Sequence, residues 1–161
     1  MCKMRYAPRR FDEGMRMTLA KNTVSTIIPS LRYDDALAAI DWLCNAFGFE
    51  KHAVYADDKG IVQHAQLTFG NGMVMLGSTA NPTAWGERIA QPRAIGGRET
   101  QCPCVVVEDC EAHYARAKAA GAEIVDALET KEYGGAGYSC RDIEGHLWWF
   151  GSYDPWAAEA K

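Results

Sequence analysis

The chain has 161 residues, of which 48% are hydrophobic and 24% are charged. This length and balance are typical of one well-packed domain, or of two small and closely joined halves. The formal net charge of −4 argues against a general nucleic-acid-binding protein. Because no apolar run has the length of a membrane span or a signal-peptide core, we expect a soluble, cytoplasmic protein without a membrane partner.

The N-terminal segment differs in charge from the rest of the chain. Residues 1–21 contain six Lys or Arg and two acidic residues. A basic segment of this kind could contact an anionic partner, but we favour a disordered leader over residues 1–23. The six cysteines form no C-x-x-C pair, which favours reduced thiols over a disulfide framework.

The first folded segment begins with a predicted strand over Val24–Tyr33, and a helix follows it. Asp35 lies where an N-cap or a first-turn acid stabilises the helix dipole. Apolar residues recur at helical spacing as far as Phe47, and Gly48 ends the helix. Three strands separated by hairpin turn residues complete this unit, over Phe49–Ala56, Ile61–Phe69 and Met73–Ser78.

Residues 80–99 separate the two halves of the chain and are rich in Pro, Gly and Arg. We interpret them as a connector that could also serve as a flap over a site. Their arginines could hold an anionic ligand, although exposed linker charges are usually solvated.

The second half repeats the order of the first. A strand over Cys102–Val107 leads to a helix that begins near Asp109 and ends at Gly121. Three further strands follow, over Ala122–Ala127, Gly137–Asp142 and His146–Ser152. Matching residues such as Pro29 and Pro103 lie 74 positions apart, which indicates a tandem βαβββ repeat. The predicted modules are residues 24–79 and 100–156, and a short tail covers 157–161.

Two stretches carry a resemblance to a known family: DDALAAIDWLCNAFGFE from Asp34 and DIEGHLWWFGSYDPW from Asp142. With the repeated unit over Val24–Tyr153, they resemble the vicinal oxygen chelate superfamily. Glyoxalases, bleomycin-resistance proteins, fosfomycin-resistance enzymes and extradiol dioxygenases belong to that group. The resemblance implies an α+β fold, in which tandem βαβββ modules form a curled mixed sheet around a cleft. It also implies a homodimer.

The same resemblance gives four candidate site positions. Catalytic members hold a divalent metal with one ligand from the first and one from the last strand of each module. In this chain those positions are Ile28, Met75, Cys102 and Trp149. Isoleucine and tryptophan offer no suitable lone pair, methionine is a soft donor, and one thiolate does not hold a catalytic zinc. We therefore expect no metal, no cofactor and an apolar cleft floor.

Polar candidates come from the third strand of each module. Alternation places His64 and Gln66 on one strand face, and the repeat matches them to Tyr138 and Cys140. If that face lines the cleft, His64, Gln66 and Tyr138 would orient a ligand; if it faces outward, His64 is a surface residue. Alternation alone does not decide between these cases. A Cys140–His64 nucleophile–base pair is also conceivable, but no third group is evident that would orient the base.

The favoured interpretation is a metal-free protein that sequesters or senses a small aromatic or amphipathic compound. Trp149 would stack on the ligand, and Met75 and Cys102 would line its pocket. The alternative is a glyoxalase-like lyase, isomerase or dioxygenase with an atypical metal site or none, in which His64 is the acid or base. Two plainer hypotheses stay open: a filled interior that contains Trp149 and Met75, and an interaction role through dimerisation.

Overall fold

Two four-stranded mixed sheets, one from each half of the chain, form the framework of the protein. The computed structural model describes residues 20–157. Most of the predicted leader and tail, namely residues 1–19 and 158–161, therefore lies outside the described residues. In the part described, no helix has the length and apolar character needed to cross a membrane.

The first sheet has the strand order β1-β4-β3-β2, with β1 parallel to β4 and the other neighbours antiparallel. Its elements are β1 (Ser30–Tyr33), α1 (Ala36–Phe47), β2 (Glu50–Ala56), β3 (Val62–Phe69) and β4 (Gly72–Ser78). β1 is thus much shorter than the predicted strand over Val24–Tyr33, whereas the bounds of the other three strands differ by at most one residue from the prediction.

The second sheet repeats this arrangement in the order β5-β8-β7-β6. Its elements are β5 (Cys104–Val106), α2 (Cys110–Ala119), β6 (Glu123–Thr130), β7 (Ala136–Arg141) and β8 (Leu147–Gly151). The connector, which follows β4 and precedes β5 in the chain, contains two short 3₁₀ turns, Gly86–Arg88 and Pro92–Ile95. The predicted α+β fold of two βαβββ units is confirmed.

The helix ends agree with the predicted capping residues. The Asp35 carboxylate accepts a hydrogen bond from the Ala38 backbone N–H, and Asp109 does the same for Ala112. Each carboxylate satisfies one of the backbone donors that a helix start leaves free. Gly48 ends α1 with φ = 84°, a left-handed conformation that glycine adopts without steric cost.

The two halves share one hydrophobic core. Phe47 packs at the end of α1 against Trp148 and Phe150 of β8, with ring centroids 5.5 Å and 4.7 Å away. The ring of Phe49 lies 5.6 Å from that of Trp148. Because these residues come from both halves, the inner faces of the two sheets are turned towards each other.

A buried polar cluster at the turn before β8 joins the two halves. Asp142 accepts hydrogen bonds from the Tyr33 hydroxyl at 2.6 Å and from the Trp148 indole N–H at 3.0 Å. From the same turn, Glu144 accepts the backbone N–H groups of Asp34 and Asp35 at the start of α1. Burial, followed by the Asp142 carboxylate, raises the pKa of Tyr33. The turn of the second half therefore fixes the first strand and helix of the first half.

Candidate functional site

Each sheet has an inner face in the common core and an outer face that points away from it. On β4, Val74 and Leu76 are buried and Met75 between them is partly exposed. On β8, Trp148 and Phe150 are fully buried and Trp149 is partly exposed. Since neighbouring strand residues point to opposite faces, Met75 and Trp149 lie on the outer faces of different sheets.

The four positions inferred from the resemblance are therefore not brought together within one chain. Met75 and Trp149 both lie on the side of their own sheet that is turned away from the core. Ile28 and Cys102 line a cavity of about 1010 Å³ between the first strands of the two halves. Burial, with the nearby Cys104 and Glu99 as smaller causes, raises the pKa of Cys102 to about 11.

These residues do not fit a catalytic metal centre. Ile28 and Trp149 supply no suitable lone pair, Met75 is a soft donor, and Cys102 is one thiol with a high pKa. Within residues 20–157, no three His, Cys, Asp or Glu side chains lie close enough together to hold an ion.

Trp149 lies flat on the outer face of the second sheet. A β-carbon added at Gly137 would be 2.7 Å from Trp149 Cζ2, and one added at Gly151 would overlap the six-membered ring. The indole therefore occupies space that side chains at these two positions would fill. Because Gly137 on β7 and Gly151 on β8 have no side chains, the indole packs directly on the backbone there, which fixes its orientation.

An aromatic pocket of about 440 Å³ opens above this ring. Its walls are Trp149, Tyr133, Tyr153 and Cys104. The rings of Tyr133 and Tyr153 meet edge to face, with centroids 5.1 Å apart. Three aromatic side chains around an open space offer large apolar contact surfaces that are suited to a flat organic molecule.

Sequence reasoning missed Tyr133, Tyr153 and Cys104 as site residues. Tyr153 continues the alternation of Trp149 and Gly151, so extending the pattern by two residues would have indicated it. Tyr133 lies in the Gly-rich segment before β7, where no regular period applies. Only the folded chain places it beside Tyr153.

Polar side chains continue the row of Trp149 across the second sheet. In the strand register, Cys104 and Ser139 lie on either side of Trp149, and Asp126 lies beyond Ser139. The Ser139 hydroxyl donates a hydrogen bond to Asp126 Oδ2. This bond places the Asp126 carboxylate on the outer face, two strands from the indole.

The outer face of the first sheet carries the predicted polar residues. His64 and Gln66 are both partly exposed, and their side chains contact each other, with 3.1 Å between the Gln66 and His64 Nε2 atoms. Gln66 lies directly beside Met75 in the register. The ring of Tyr55, which is 60% exposed, stacks 6.3 Å from that of His64. These residues line an open face, but it is not the face of Trp149.

Tyr138 is placed differently from the prediction. It is 1% exposed, its ring packs in the core against Phe150, and its hydroxyl contacts His113 Nδ1 at 2.7 Å. Cys140 is fully buried on the same face, where burial raises the pKa of its thiol to about 12. Both residues are on the inner face, so neither shares a surface with His64.

The length of one hairpin explains why Tyr138 and Cys140 lie on the inner face of their sheet. Gln66 is paired with Met75, whereas Ser139 is paired with Trp149. The hairpin between β7 and β8 is one residue longer than that between β3 and β4. A shift of one residue exchanges the two faces of a strand, so the counterpart of Gln66 is Ser139 and not Cys140.

Arg32 lies on the outer side of β1 beneath the connector, 6% exposed. Its guanidinium donates to the carbonyl oxygens of Asn81 at 2.9 Å and Thr79 at 3.4 Å. A β-carbon at Gly86 would lie 2.6 Å from Arg32 Cζ. The connector therefore covers this part of the first sheet, next to the face that carries His64.

The chain is similar to known proteins in its family, its sequence and its structure. A family model described as Glyoxalase/Bleomycin resistance protein/Dioxygenase superfamily matches residues 23–150. The uncharacterized protein MT0910 of Mycobacterium tuberculosis (strain CDC 1551 / Oshkosh) is 32% identical over 134 residues, which cover 83% of this chain and 78% of that protein.

Among solved structures, TioX from Micromonospora sp. ML1 is similar with a TM-score of 0.62 and 36% identity, over 79% of this chain and 94% of TioX. The fosfomycin resistance protein FosX of Listeria monocytogenes has a TM-score of 0.59 at 13% identity, over 81% of this chain and 94% of FosX. The likeness to FosX shows the fold alone, because its sequence identity is low.

Proposed function

The chain belongs to the glyoxalase/bleomycin resistance protein/dioxygenase superfamily, and we propose that it binds a small aromatic compound without using a metal. The observation that carries this proposal is the aromatic pocket on the second sheet. The Trp149 ring packs there on Gly137 and Gly151, and Tyr133 and Tyr153 form the walls of the pocket. A protein that sequesters or senses its ligand needs such a surface and no reactive group.

The absence of suitable donors at the four family positions supports a metal-free site. Ile28, Met75, Cys102 and Trp149 do not form a ligand set of the kind that zinc or magnesium requires. Binding energy would instead come from aromatic contact and from the removal of apolar surface from water.

We further propose that two copies of the chain complete the site. The strands β1 and β5 are both sheet edges, and an unpaired edge is a natural place for another strand. Beside these edges, Ile27 is 83% exposed and Val106 46% exposed. The cavity of about 1010 Å³ also opens between them.

In a two-fold dimer, β1 of each copy would approach β5 of its partner, because an isologous interface uses each contact twice. The first sheet of one copy and the second sheet of the other would then curve around a shared cleft. His64, Gln66 and Met75 would face the partner's Trp149. In this arrangement the residues that one chain keeps apart would meet around one ligand.

The enzymatic alternative depends on His64 as an acid or base. Histidine is the side chain most often used in that role. In the described structure, however, the side-chain hydrogen-bond contact of His64 is Gln66, and an amide does not tune a base as a carboxylate does. We therefore favour binding over catalysis.

Fluorescence tests the binding proposal. Quenching of tryptophan fluorescence by isoquinoline and related bicyclic aromatics should be largely lost in Trp149→Ala, because the stacking surface is removed. The matched control is Trp156→Ala, since Trp156 is 90% exposed and lines neither of the two cavities. The control should respond like the unmodified protein. An unchanged response in Trp149→Ala would contradict the proposed site.

A further inference from the structure

We propose that the aromatic pocket prefers planar aromatic ligands that carry a positive charge. This inference rests on the proposed function and adds the charge of the ligand. The relevant feature is one row across the second sheet, in which Cys104, Trp149, Ser139 and Asp126 are neighbours in strand register. Opposing residues in such a row have their side chains on the same face and close together.

The carboxylate in this row is directed by a hydrogen bond. The Ser139 hydroxyl, next to Trp149, donates to Asp126 Oδ2, which holds the carboxylate over the sheet. Among residues 20–157, Asp126 belongs to none of the ion pairs, which join a basic nitrogen and an acidic oxygen within 4.0 Å. The neighbouring Lys131 instead pairs with Glu129 at 2.5 Å. Within the described part of the chain, the Asp126 carboxylate is therefore in no ion pair, although after Glu129 its charge also contributes to raising the pKa of Lys131.

The aromatic walls favour the same sign of charge. The face of an aromatic ring has negative electrostatic potential, and a cation within about 6 Å of its centre is attracted to it. Trp149 presents its face to the pocket because its other face lies on Gly137 and Gly151. Tyr133 and Tyr153 border the same space. A flat cation would thus contact aromatic faces, with the Asp126 carboxylate two strands away on the same face of the sheet.

The charge of the surrounding strand agrees with this preference. β6 carries Glu123, Asp126 and Glu129 and no basic residue. Glu123 lies opposite Arg141 in the strand register and Glu129 pairs with Lys131. Asp126 is therefore the acidic residue of β6 that would attract a cation and repel an anion at moderate ionic strength.

The test compares three probes of nearly the same shape. They are N-methylisoquinolinium, a permanent cation; isoquinoline, which is uncharged in mildly alkaline buffer; and isoquinoline-3-carboxylate, an anion. Titration calorimetry on the full chain should give the tightest binding for the cation, roughly 5- to 30-fold tighter than for isoquinoline. The anion should bind most weakly. Equal affinities, or the reverse order, would overturn the inference.

Variants assign the preference to Asp126. In Asp126→Asn the advantage of the cation should fall to within about threefold of isoquinoline, while isoquinoline itself binds as before. Glu111→Gln makes the same change of charge on α2, away from this face, and should keep the full preference. Asp126→Lys should favour the carboxylate probe. A full preference in Asp126→Asn, with a folded protein by circular dichroism, would contradict the assignment.

The outcomes separate this inference from the proposed function. Binding of all three probes with equal affinity, abolished by Trp149→Ala, would support the aromatic site and reject the charge preference. Failure of every probe to bind would count against both. A preference that declines as salt is added would support an electrostatic cause.

Discussion

At the scale of single residues, the orientation of Trp149 depends on two glycines that have no side chain to displace it. A β-carbon at Gly151 would overlap the indole. Gly151 is absent from the positive-φ glycines, so alanine there meets the ring and not a backbone restriction. The position of the Trp149 ring is therefore determined by the absence of side chains at Gly137 on β7 and Gly151 on β8.

We predict that Gly151→Ala lowers the free energy of unfolding by about 1–3 kcal/mol, the usual cost of overpacking, and weakens isoquinoline binding because the indole must move. In the double variant Gly151→Ala/Trp149→Ala the stability cost of the alanine should largely disappear. Urea unfolding of the four proteins measures this coupling. Strictly additive changes would show that the ring and Gly151 do not interact.

At the scale of elements, His113 links α2 to the end of α1. Its Nε2 lies 3.0 Å from the Phe47 carbonyl oxygen and its Nδ1 lies 2.7 Å from the Tyr138 hydroxyl. A neutral ring satisfies both contacts, since Nε2–H donates to the carbonyl and the hydroxyl donates to Nδ1. Burial lowers the pKa of His113, although the hydrogen bond to Phe47 opposes this.

This arrangement predicts a loss of stability in acid. Because the pKa of His113 is lower in the folded than in the unfolded chain, the unfolded chain takes up the proton first as the pH falls below about 6.5. The stabilisation is therefore present above that pH and declines below it. Urea unfolding between about pH 7.5 and about pH 5.5 should show a smaller pH dependence in His113→Gln.

The control for this prediction is His52→Gln, since His52 is exposed on β2. It should keep the pH dependence of the unmodified protein. If His113→Gln also kept it, the acid sensitivity would belong to other groups.

At the scale of the whole molecule, the outer faces of both sheets lie away from the shared core, so one chain does not place Met75 and Trp149 around the same ligand. Association of two chains is the arrangement that would place Met75 opposite Trp149. The proposed shared cleft would therefore require two chains, whereas each chain forms its own hydrophobic core.

We predict a particle of about twice the chain mass of 17.8 kDa in light scattering after gel filtration. Trp149→Ala and Met75→Trp should each abolish isoquinoline binding, the first by removing the stack and the second by filling the cleft. Mixing the two unfolded variants and refolding them together should restore about one quarter of the sites, because half of the dimers would carry one intact cleft. No recovery, or a monomeric mass, would contradict a shared site.

Local chemistry in the sequence determined the repeated unit. Asp35, Asp109 and Gly48 specified helix ends through backbone geometry, and alternation with turn residues specified five of the eight strands to within one residue at each end. These features depend on residues that are neighbours in the chain, so they can be recognised from the sequence without knowledge of the fold. The family and the chemical character of the four metal-ligand positions followed from the same residues.

Only the tertiary structure decided which faces are buried and which residues meet. The extra residue in the β7–β8 hairpin moved Tyr138 into the core, because strand faces alternate at every position. The packing of the two sheets through Phe47 and Trp148 turned Met75 and Trp149 outward. The approach of Tyr133 to Tyr153 depends on contacts between segments that are distant in sequence, and no local pattern records such contacts.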